Sequence, residues 1–417
     1  MKMFQNLKRV YTKDYLLLIG IGFLPLIWKI LEIYFLVSFS NSLKILGQVA
    51  LLSIIFKIFE ETILNPMYKI LSRWDRSDSV DSHNVSHKFL IFYSMATVIF
   101  TMLLLLLARY ILIISQVPEY IFRETLVFIR IYIVACGIGV VSKYLYTCSL
   151  ICKDSKKLFI YFLIKSFATT ILFLIFVPKF TFGLGVNGIA IVEIVINAST
   201  ILFLFNFQND GVDISIDKKE YFRLLGLAFL ETVVRNLVYY FVILVFLNMI
   251  DNQDLYFVSN EFIWSIMLVP TLAQSSLIKQ VVSNDKDSSL MPYFANSIFL
   301  ILFMLILIPI ALIVFKYVYC LPNYMEYFMT LLKLSPCYIV FIIDSIIESY
   351  FVATGEFHHV LVQTIITNIL VYMTALILYL FGVWTITIDA IILLFNLGVV
   401  VSSIYTISVY LLKYRAK

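Results

Sequence analysis

Two acidic residues, Asp344 and Glu348, stand four positions apart in a long apolar stretch of the chain. In a helix, this spacing places both carboxyl groups on the same face. Two like charges in a low-dielectric environment resist ionising together, so one of them is expected to hold a proton. The pair is therefore predicted to be a coupling element that holds and releases a cation such as a proton. In the alternative interpretation, a base from another helix neutralises the acids, and the candidates are Arg130, Lys143 and Lys165.

Two further charged pairs have helical spacing inside apolar stretches. Arg235 follows Glu231 by four residues, and Glu32 follows Lys29 by three. These spacings place each pair on one helix face. Charged residues at membrane depth are costly to insert, so each pair is either a structural ion pair or part of a binding site. The sequence leaves both interpretations open.

A third group of charges contains more acids than bases. Glu60 and Glu61 follow Lys57 by three and four residues. One lysine neutralises one carboxylate, so this spacing predicts that one of the two acids remains free for a functional role. Further along the chain, Asn260 and Glu261 add a polar residue and another acid at membrane depth. We include both among the candidate ion-coupling or substrate-binding residues.

The composition indicates that these charges belong to a membrane protein. The 417-residue chain has 62% hydrophobic and 14% charged residues and a mean hydropathy of +0.98. Soluble domains average about 45–50% apolar and about 25% charged residues. Polar breaks recur about every 30 residues, which fits helices of about 20 residues joined by short loops. The alternating ten-residue segments of a membrane β-barrel are absent. We therefore predict an all-α, polytopic membrane protein whose polar interior holds the charges.

The apolar runs predict about twelve transmembrane helices in two groups of six. The first group lies near residues 14–38, 45–70, 89–115, 125–151, 158–179 and 186–207. The second lies near residues 223–249, 255–279, 292–318, 328–353, 358–382 and 388–413. The polar stretch between them defines three parts. These are an N-terminal six-helix bundle (1–207), a cytoplasmic connector (208–222) and a C-terminal six-helix bundle (223–417).

The basic residues in the loops predict the orientation. They concentrate in both termini, in the connector and in the loops after predicted helices 2, 4 and 8. The positive-inside rule then places both termini in the cytoplasm. We expect the membrane to be the plasma membrane. Six helices return the chain to its starting side, so both halves insert in the same orientation. If the halves are repeats, their pseudo-two-fold axis lies along the membrane normal.

Several stretches in this order are similar to those of a known transporter family. The second half contains FLETVVRNL at 229–237, NEFIW at 260–264, LVP at 268–270 and LIK at 277–279. In the first half, FGLGVNGIA at 182–190 is similar to the family's Gly-x-x-Gly-Ala motif before helix 6. With these motifs and its two predicted groups of six transmembrane helices, the chain resembles the multidrug and toxic compound extrusion (MATE) transporters. Their superfamily also contains polysaccharide-lipid flippases.

The resemblance implies two bundles around a cleft that opens to either face in turn as the bundles rock. It also implies that Na⁺ or H⁺ drives the export of small organic, often cationic, compounds. The family's coupling acids lie on helices 1, 7 and 10, where this sequence has Glu32, Glu231 and Asp344. The sequence departs from the family at Glu32, which replaces the usual Asp, and late in helix 2, where the usual glycine is absent from ILNP at 63–66.

The sequence leaves three possible functions open. The first is a cation-coupled exporter. The second is a flippase for a lipid-linked oligosaccharide, whose anionic pyrophosphate would suit the basic residues Arg130, Lys143 and Lys165. The third is an integral-membrane transferase, for which His358-His359 is the only candidate pair and no soluble or re-entrant segment is present.

The remaining expectations concern cofactors and partners. Phosphate-binding, dinucleotide-binding and nucleophile-elbow motifs are absent, so we expect no cofactor and no enzymatic activity. No metal is expected beyond a transported Na⁺, and no basic patch suggests nucleic acid. The expected partners are the lipid bilayer, a small-molecule substrate and the coupling cation, and we expect a monomer.

Overall fold

The computed structural model describes residues 10–71, 87–151, 155–205, 218–284 and 289–414. Within these ranges the chain is helical and contains no β-strand. Most of the predicted connector lies outside the described residues. Its last five residues, 218–222, form the first turn of the seventh helix.

The described residues form twelve helical units, which we label α1 to α12. The first six are α1 (Lys13–Phe23 and Leu26–Leu36), α2 (Ser42–Gly47 and Val49–Leu71), α3 (His87–Ile114), α4 (Glu119–Ile151), α5 (Ser155–Phe176) and α6 (Val186–Phe205). The next three are α7 (Lys218–Val238, a π-helical segment Tyr239–Leu244, and Val245–Met249), α8 (Gln253–Phe262, a π-helical segment Ile263–Met267, and Val269–Asn284) and α9 (Met291–Ile313 with a π-helical segment Val314–Val318). The last three are α10 (Tyr324–Thr354), α11 (Phe357–Thr367, a π-helical segment Asn368–Met373, and Thr374–Leu380) and α12 (Ile388–Tyr414).

Most of these units can cross a membrane. In the described part of the chain, nine helices are long and apolar enough, or ten if the bent pair Gln253–Met267 and Val269–Val282 is one span. The two remaining units, α2 and α7, carry the charged groups around Glu61 and Arg235. The outer surface exposes large apolar side chains such as Leu106, as expected for contact with lipid. The predicted all-α polytopic fold is confirmed.

The same packing pattern occurs in both halves of the chain. In the first half, α1 packs on α5, α2 and α3 pack on α4, and α6 packs on α4 and α5. In the second half, α7 packs on α11, α8 and α9 pack on α10, and α12 packs on α10 and α11. Raising each helix number by six converts the first set into the second. The halves are therefore two six-helix bundles related by a pseudo-two-fold axis. The exact domain boundaries remain a prediction, because residues 206–217 lie outside the described part.

The largest contacts between the bundles are those of α1 with α8 and of α2 with α7, and α2 also packs on α8 and α10. The pseudo-two-fold operation exchanges these two pairs. Glycine permits the close approach of α1 to α8, because a Cβ atom on Gly22 would lie only 2.6 Å from Cγ1 of Val269. Beside this contact, α8 bends by 56° between its π-helical segment and its last helix, next to Pro270. Proline removes a helical hydrogen bond and favours such a bend.

Candidate functional site

A cavity of about 560 Å³ lies between the bundles. Helices α1, α2, α4 and α6 of the first bundle line it, as do α7, α8, α10, α11 and α12 of the second. Its size falls in the range of about 300–1,000 Å³ that is typical of small-molecule sites. The charged lining residues are Glu32, Glu193, Glu261, Asp344, Glu348, Lys29, Lys57 and Arg235. Among the described lining residues, acids therefore exceed bases by five to three, which favours a cationic ligand.

Lys29 joins the two bundles at this cavity. Its ammonium group lies 3.5 Å from the carboxylate of Glu32 on α1 and 3.0 Å from that of Glu261 on α8. The predicted pair of Lys29 and Glu32 is present, but Glu261 is a second and closer partner. One base between two acids leaves the group with an excess negative charge.

Arg235 lies among acids from three helices. Its guanidinium group donates a hydrogen bond to Glu61 of α2 and lies 3.3 Å from Glu231 of its own helix. It also lies 3.6 Å from Glu348 of α10. The predicted pair of Glu231 and Arg235 is therefore present within a larger group. Arg235 connects both bundles through this group, since Glu61 belongs to the first bundle and the other acids to the second.

The prediction of a free acid beside Lys57 is wrong. Lys57 lies 3.5 Å from Glu61, which also accepts the hydrogen bond from Arg235. Glu60 lies 2.8 Å from the ammonium group of Lys143 on α4. Both acids therefore have basic partners. Spacing along one helix did not reveal the second partner because it comes from another helix.

Asp344 and Glu348 differ in their surroundings, so the prediction that they act as two acids without a base needs correction. Glu348 lies near Arg235, which was not among the bases considered for it. Asp344 is 3% exposed and has no basic partner among the described residues. It lies beside the hydroxyl groups of Ser403 and Thr406 on α12. Its Oδ1 atom has no hydrogen-bond partner in the described part of the chain.

Polar residues of α11, which the sequence reasoning missed, complete the wall near Asp344. Gln363, Thr364, Thr367 and Asn368 all line the cavity. Gln363 Oε1 and Thr367 Oγ1 are buried and lack hydrogen-bond partners within the described residues. Thr364 donates to Glu231 Oε1 at 3.4 Å. The signal was present in the sequence, because these residues recur at three- and four-residue spacing in an apolar run.

Asn260 belongs to a hydrogen-bonded group beside the cavity. The hydroxyl of Tyr338 on α10 donates to Asn260 Oδ1 and accepts a hydrogen bond of 2.9 Å from Trp264 Nε1. Asn260 and Trp264 both line the cavity. Trp264 lies in the π-helical segment of α8, and such segments are frequent at functional sites.

At the end of the bundles where α7 connects to α8, a polar network closes the gap between them. Lys44 lies 2.6 Å from Asp251 Oδ2, and the hydroxyl of Tyr120 donates to Asp251 Oδ1 at 2.9 Å. Nearby, Gln48 Nε2 donates to Asn248 Oδ1 at 2.9 Å. Lys44, Tyr120 and Gln48 belong to the first bundle, and the other two residues belong to the second. The network therefore holds the bundles together at the face opposite the termini.

Replacing Asp251 with alanine is expected to favour conformations that open at this face. The change removes the acid that binds Lys44 and Tyr120, and a partly exposed pair of this kind contributes up to about 1 kcal/mol, or roughly a fivefold population shift. Spin labels at the exposed positions Arg123 and Asn323 would report the separation of the bundles by pulsed electron paramagnetic resonance. Glu119→Ala, which removes an exposed acid at the same end, is the control. Identical distance distributions for Asp251→Ala and the control would contradict the assignment.

Comparison with known proteins tests the fold. No family model matches the chain, and no curated protein sequence matches it. Solved structures do match over nearly its whole length. A point mutant of the Vibrio cholerae MATE transporter VcmN shares 13% identity with a TM-score of 0.73, covering 100% of this chain and 98% of that chain. A MOP superfamily transporter from Pyrococcus furiosus shares 15% identity with a TM-score of 0.75, and the match covers 97% of this chain and 98% of that chain. An outward-facing multidrug resistance MATE family transporter shares 14% identity with a TM-score of 0.71, also covering 97% and 98%.

These matches define the class of protein by its fold. The chain has the two-bundle, twelve-helix fold of membrane transporters of the MOP superfamily. It is also the fold of the MATE transporters, and the resemblance inferred from the sequence is confirmed at the level of the fold.

Proposed function

We propose that the protein is a cation-coupled secondary transporter of the MATE type that exports small organic cations. The observation that carries this proposal is the cavity between the bundles, whose described lining has more acids than bases and includes the buried Asp344, which has no basic partner among the described residues. A buried carboxylate without a base is costly in its ionised form. A proton, a Na⁺ ion or an organic cation would each relieve that cost.

Competition for this carboxylate supports antiport. When the coupling cation neutralises Asp344, the organic cation loses a counter-charge and is released more readily. When the organic cation occupies the cavity, the coupling cation loses its site in the same way. Two ligands that bind the same group in turn exchange across the membrane as the bundles rock. Each organic cation that leaves is therefore exchanged for a coupling cation.

The charge of the cavity weakens the flippase alternative. Arg130 is exposed, and Lys143 pairs with Glu60. Lys165 lines a smaller adjoining cavity of about 80 Å³, which shares Glu32 and Glu193 with the large one. None of these three bases lines the large cavity. The Pyrococcus furiosus structure is described as having a binding pocket of reverse polarity that suggests a different function. That description relates pocket polarity to function on this fold, and the excess of acids among the described lining residues here supports export of cations.

Reconstitution into liposomes tests the proposal. Purified protein should move ethidium across the bilayer when a Na⁺ or pH gradient is applied in the exchange direction, and collapse of that gradient should stop the movement. Running both gradients separately would identify the coupling cation. If neither gradient drives ethidium while a lipid-linked oligosaccharide changes leaflet, the protein is a flippase instead.

The proposed transporter lies in the plasma membrane with both termini in the cytoplasm. A cysteine at Asn252, just before α8, should then react with a membrane-impermeant maleimide applied to intact cells. A cysteine at Ser289, beyond the other end of α8, should react only after the membrane is permeabilised. Both substitutions are made in a variant without the five native cysteines. The opposite labelling pattern would reverse the proposed orientation.

A further inference from the structure

Contacts between α3 and α4 fix the register of this antiparallel hairpin. The rings of Tyr93 and Tyr144 pack with their centroids 4.8 Å apart. Eight residues later on α3, Thr101 lies against Gly137, which is seven residues earlier on α4. Steps of seven or eight residues are about two helical turns, or roughly 11–12 Å. Residues that continue this series therefore lie at nearly the same level of the hairpin.

The next step of the series leads to two arginines, Arg109 on α3 and Arg130 on α4. Both side chains are exposed, and neither lines the cavity between the bundles. Packed helices lie about 8–10 Å apart. Two long side chains that leave neighbouring helices at the same level of an exposed surface can therefore reach one ligand.

Neither of these arginines has an acidic partner among the described residues. Helix α3 has no Asp or Glu, and the acids of α4, Glu119 and Glu124, lie at least six residues further out than Arg130. Other exposed bases of the described helices do have acidic partners: Lys57 has Glu61, Lys143 has Glu60, Lys333 has Asp389 and Lys413 has Glu356. The hairpin therefore presents two adjacent positive charges to a ligand from outside the chain.

The depth of the pair points to the lipid phase. The middle of the apolar span Tyr93–Ile114 lies between Leu103 and Leu104. Arg109 is five to six residues beyond this point, or about 8 Å, whereas the hydrocarbon core extends about 15 Å from its own middle. The next residue, the exposed Tyr110, is of a type that is enriched at the headgroup level. A charge at this depth is costly unless a counter-charge neutralises it.

A lipid phosphate supplies this counter-charge. The aliphatic stem of arginine lies along apolar surface while its guanidinium group reaches towards the headgroups. Guanidinium groups bind phosphate oxygens through paired N–H hydrogen bonds. We propose that Arg109 and Arg130 together bind the phosphate of an anionic phospholipid in the leaflet beside the turn between α3 and α4. In the proposed orientation this is the outer leaflet. The site lies on the lipid-facing surface and does not depend on the transported substrate.

Lipid binding to the purified full-length protein tests the proposal. Native mass spectrometry compares phosphatidylglycerol with phosphatidylcholine of the same acyl chains, and the unmodified protein should prefer phosphatidylglycerol by about fivefold or more. Arg109→Gln combined with Arg130→Gln should weaken phosphatidylglycerol binding by about tenfold or more and remove the preference. The control is Arg123→Gln, which removes an exposed arginine two turns further out on α4 and should leave this binding within about twofold. Equal affinities for the two lipids in the unmodified protein, or unchanged binding in the double variant, would overturn the proposal.

Inorganic phosphate distinguishes a lipid site from a site for the free anion. Added in large excess, it should not displace phosphatidylglycerol, because the acyl chains hold the lipid against the apolar surface around the arginines. Displacement would show that the pair binds free phosphate and would overturn the lipid assignment.

A second measurement leaves both arginines in place, so it does not depend on the folding of a charge variant. Photoreactive benzoylphenylalanine replaces the exposed Leu106, one turn from Arg109 on α3. In liposomes with equal amounts of the two lipids, light should attach phosphatidylglycerol several times more often than phosphatidylcholine. The matched control is the exposed Ile306 on α9, the pseudo-two-fold counterpart of α3, which has no charged residue between Met291 and Ile313. The control position should react with both lipids equally. Equal reaction at position 106 as well would overturn the proposal.

Discussion

Asp344→Asn is expected to abolish ion-driven transport while leaving the folded protein at least as stable as before. The substitution removes a carboxylate that is 3% exposed and has no basic partner among the described residues. Asparagine has nearly the same shape and can still contact the hydroxyls of Ser403 and Thr406. Because an unpaired buried charge is costly, its removal does not destabilise the fold. Loss of activity without loss of stability is the expected signature of a coupling residue.

Two measurements on the same preparations separate these effects. Gradient-driven ethidium uptake into proteoliposomes reports coupling, and the thermal midpoint of the detergent-solubilised protein reports stability. Glu326→Gln is the matched control, since Glu326 is an exposed acid in the first turn of the same helix. If Asp344→Asn transports with unchanged dependence on the gradient, Asp344 is not the coupling site. Glu32, buried on α1, would then be the next candidate.

Arg235→Met is expected to destabilise the protein and to stop transport. The guanidinium group contacts Glu61, Glu231 and Glu348, and its loss leaves a concentration of negative charge between the bundles. Removing one partner of a buried ion pair costs about 3–5 kcal/mol, and the lower end of this range applies because the Arg235 side chain is 35% exposed. We expect a clear fall in the thermal midpoint and in the yield of folded protein. Fluorescence-detected size-exclusion chromatography measures both.

Neutralising Glu61 together with Arg235 tests whether Arg235 only balances the charge of its acid partners or has a specific role in transport. The double variant Arg235→Gln with Glu61→Gln should recover much of the stability lost in Arg235→Gln alone, because fewer acids then remain uncompensated. A variant in which the charges of Glu231 and Arg235 are exchanged should not transport, since the new acid at position 235 would face Glu61 and Glu348. Full activity of the charge-reversed protein would show that the pair is purely structural. It would also remove Glu231 from the candidate residues.

Lys29 and Arg235 have the same arrangement of partners at the bundle interface. Lys29 has Glu32 on its own helix and Glu261 across the interface. Arg235 has Glu231 on its own helix and Glu61 across the interface. In the proposed rocking of the bundles, each base would therefore keep an acid partner when the bundles separate. This would lower the electrostatic cost of the movement, because neither base would be left buried without a counter-charge.

The sequence by itself determined the class of fold. A chain that is 62% hydrophobic has too much apolar surface for a soluble domain, so twelve helices and a bilayer followed from composition and the spacing of polar breaks. It also determined the pairs within one helix, Lys29 with Glu32 and Glu231 with Arg235. Residues three or four apart on a helix are neighbours in any tertiary structure, so these contacts required no knowledge of packing.

The tertiary structure alone decided how the charges combine between helices. It paired Glu60 with Lys143, placed Arg235 between Glu61 and Glu348, and left Asp344 without a base among the described residues. It also brought together the rings of Trp264 on α8, Tyr338 on α10 and Phe395 on α12, which lie far apart in the sequence. The physical reason is that helix geometry fixes neighbours only along one helix. Which faces meet depends on packing, which the spacing of residues in a single chain does not specify.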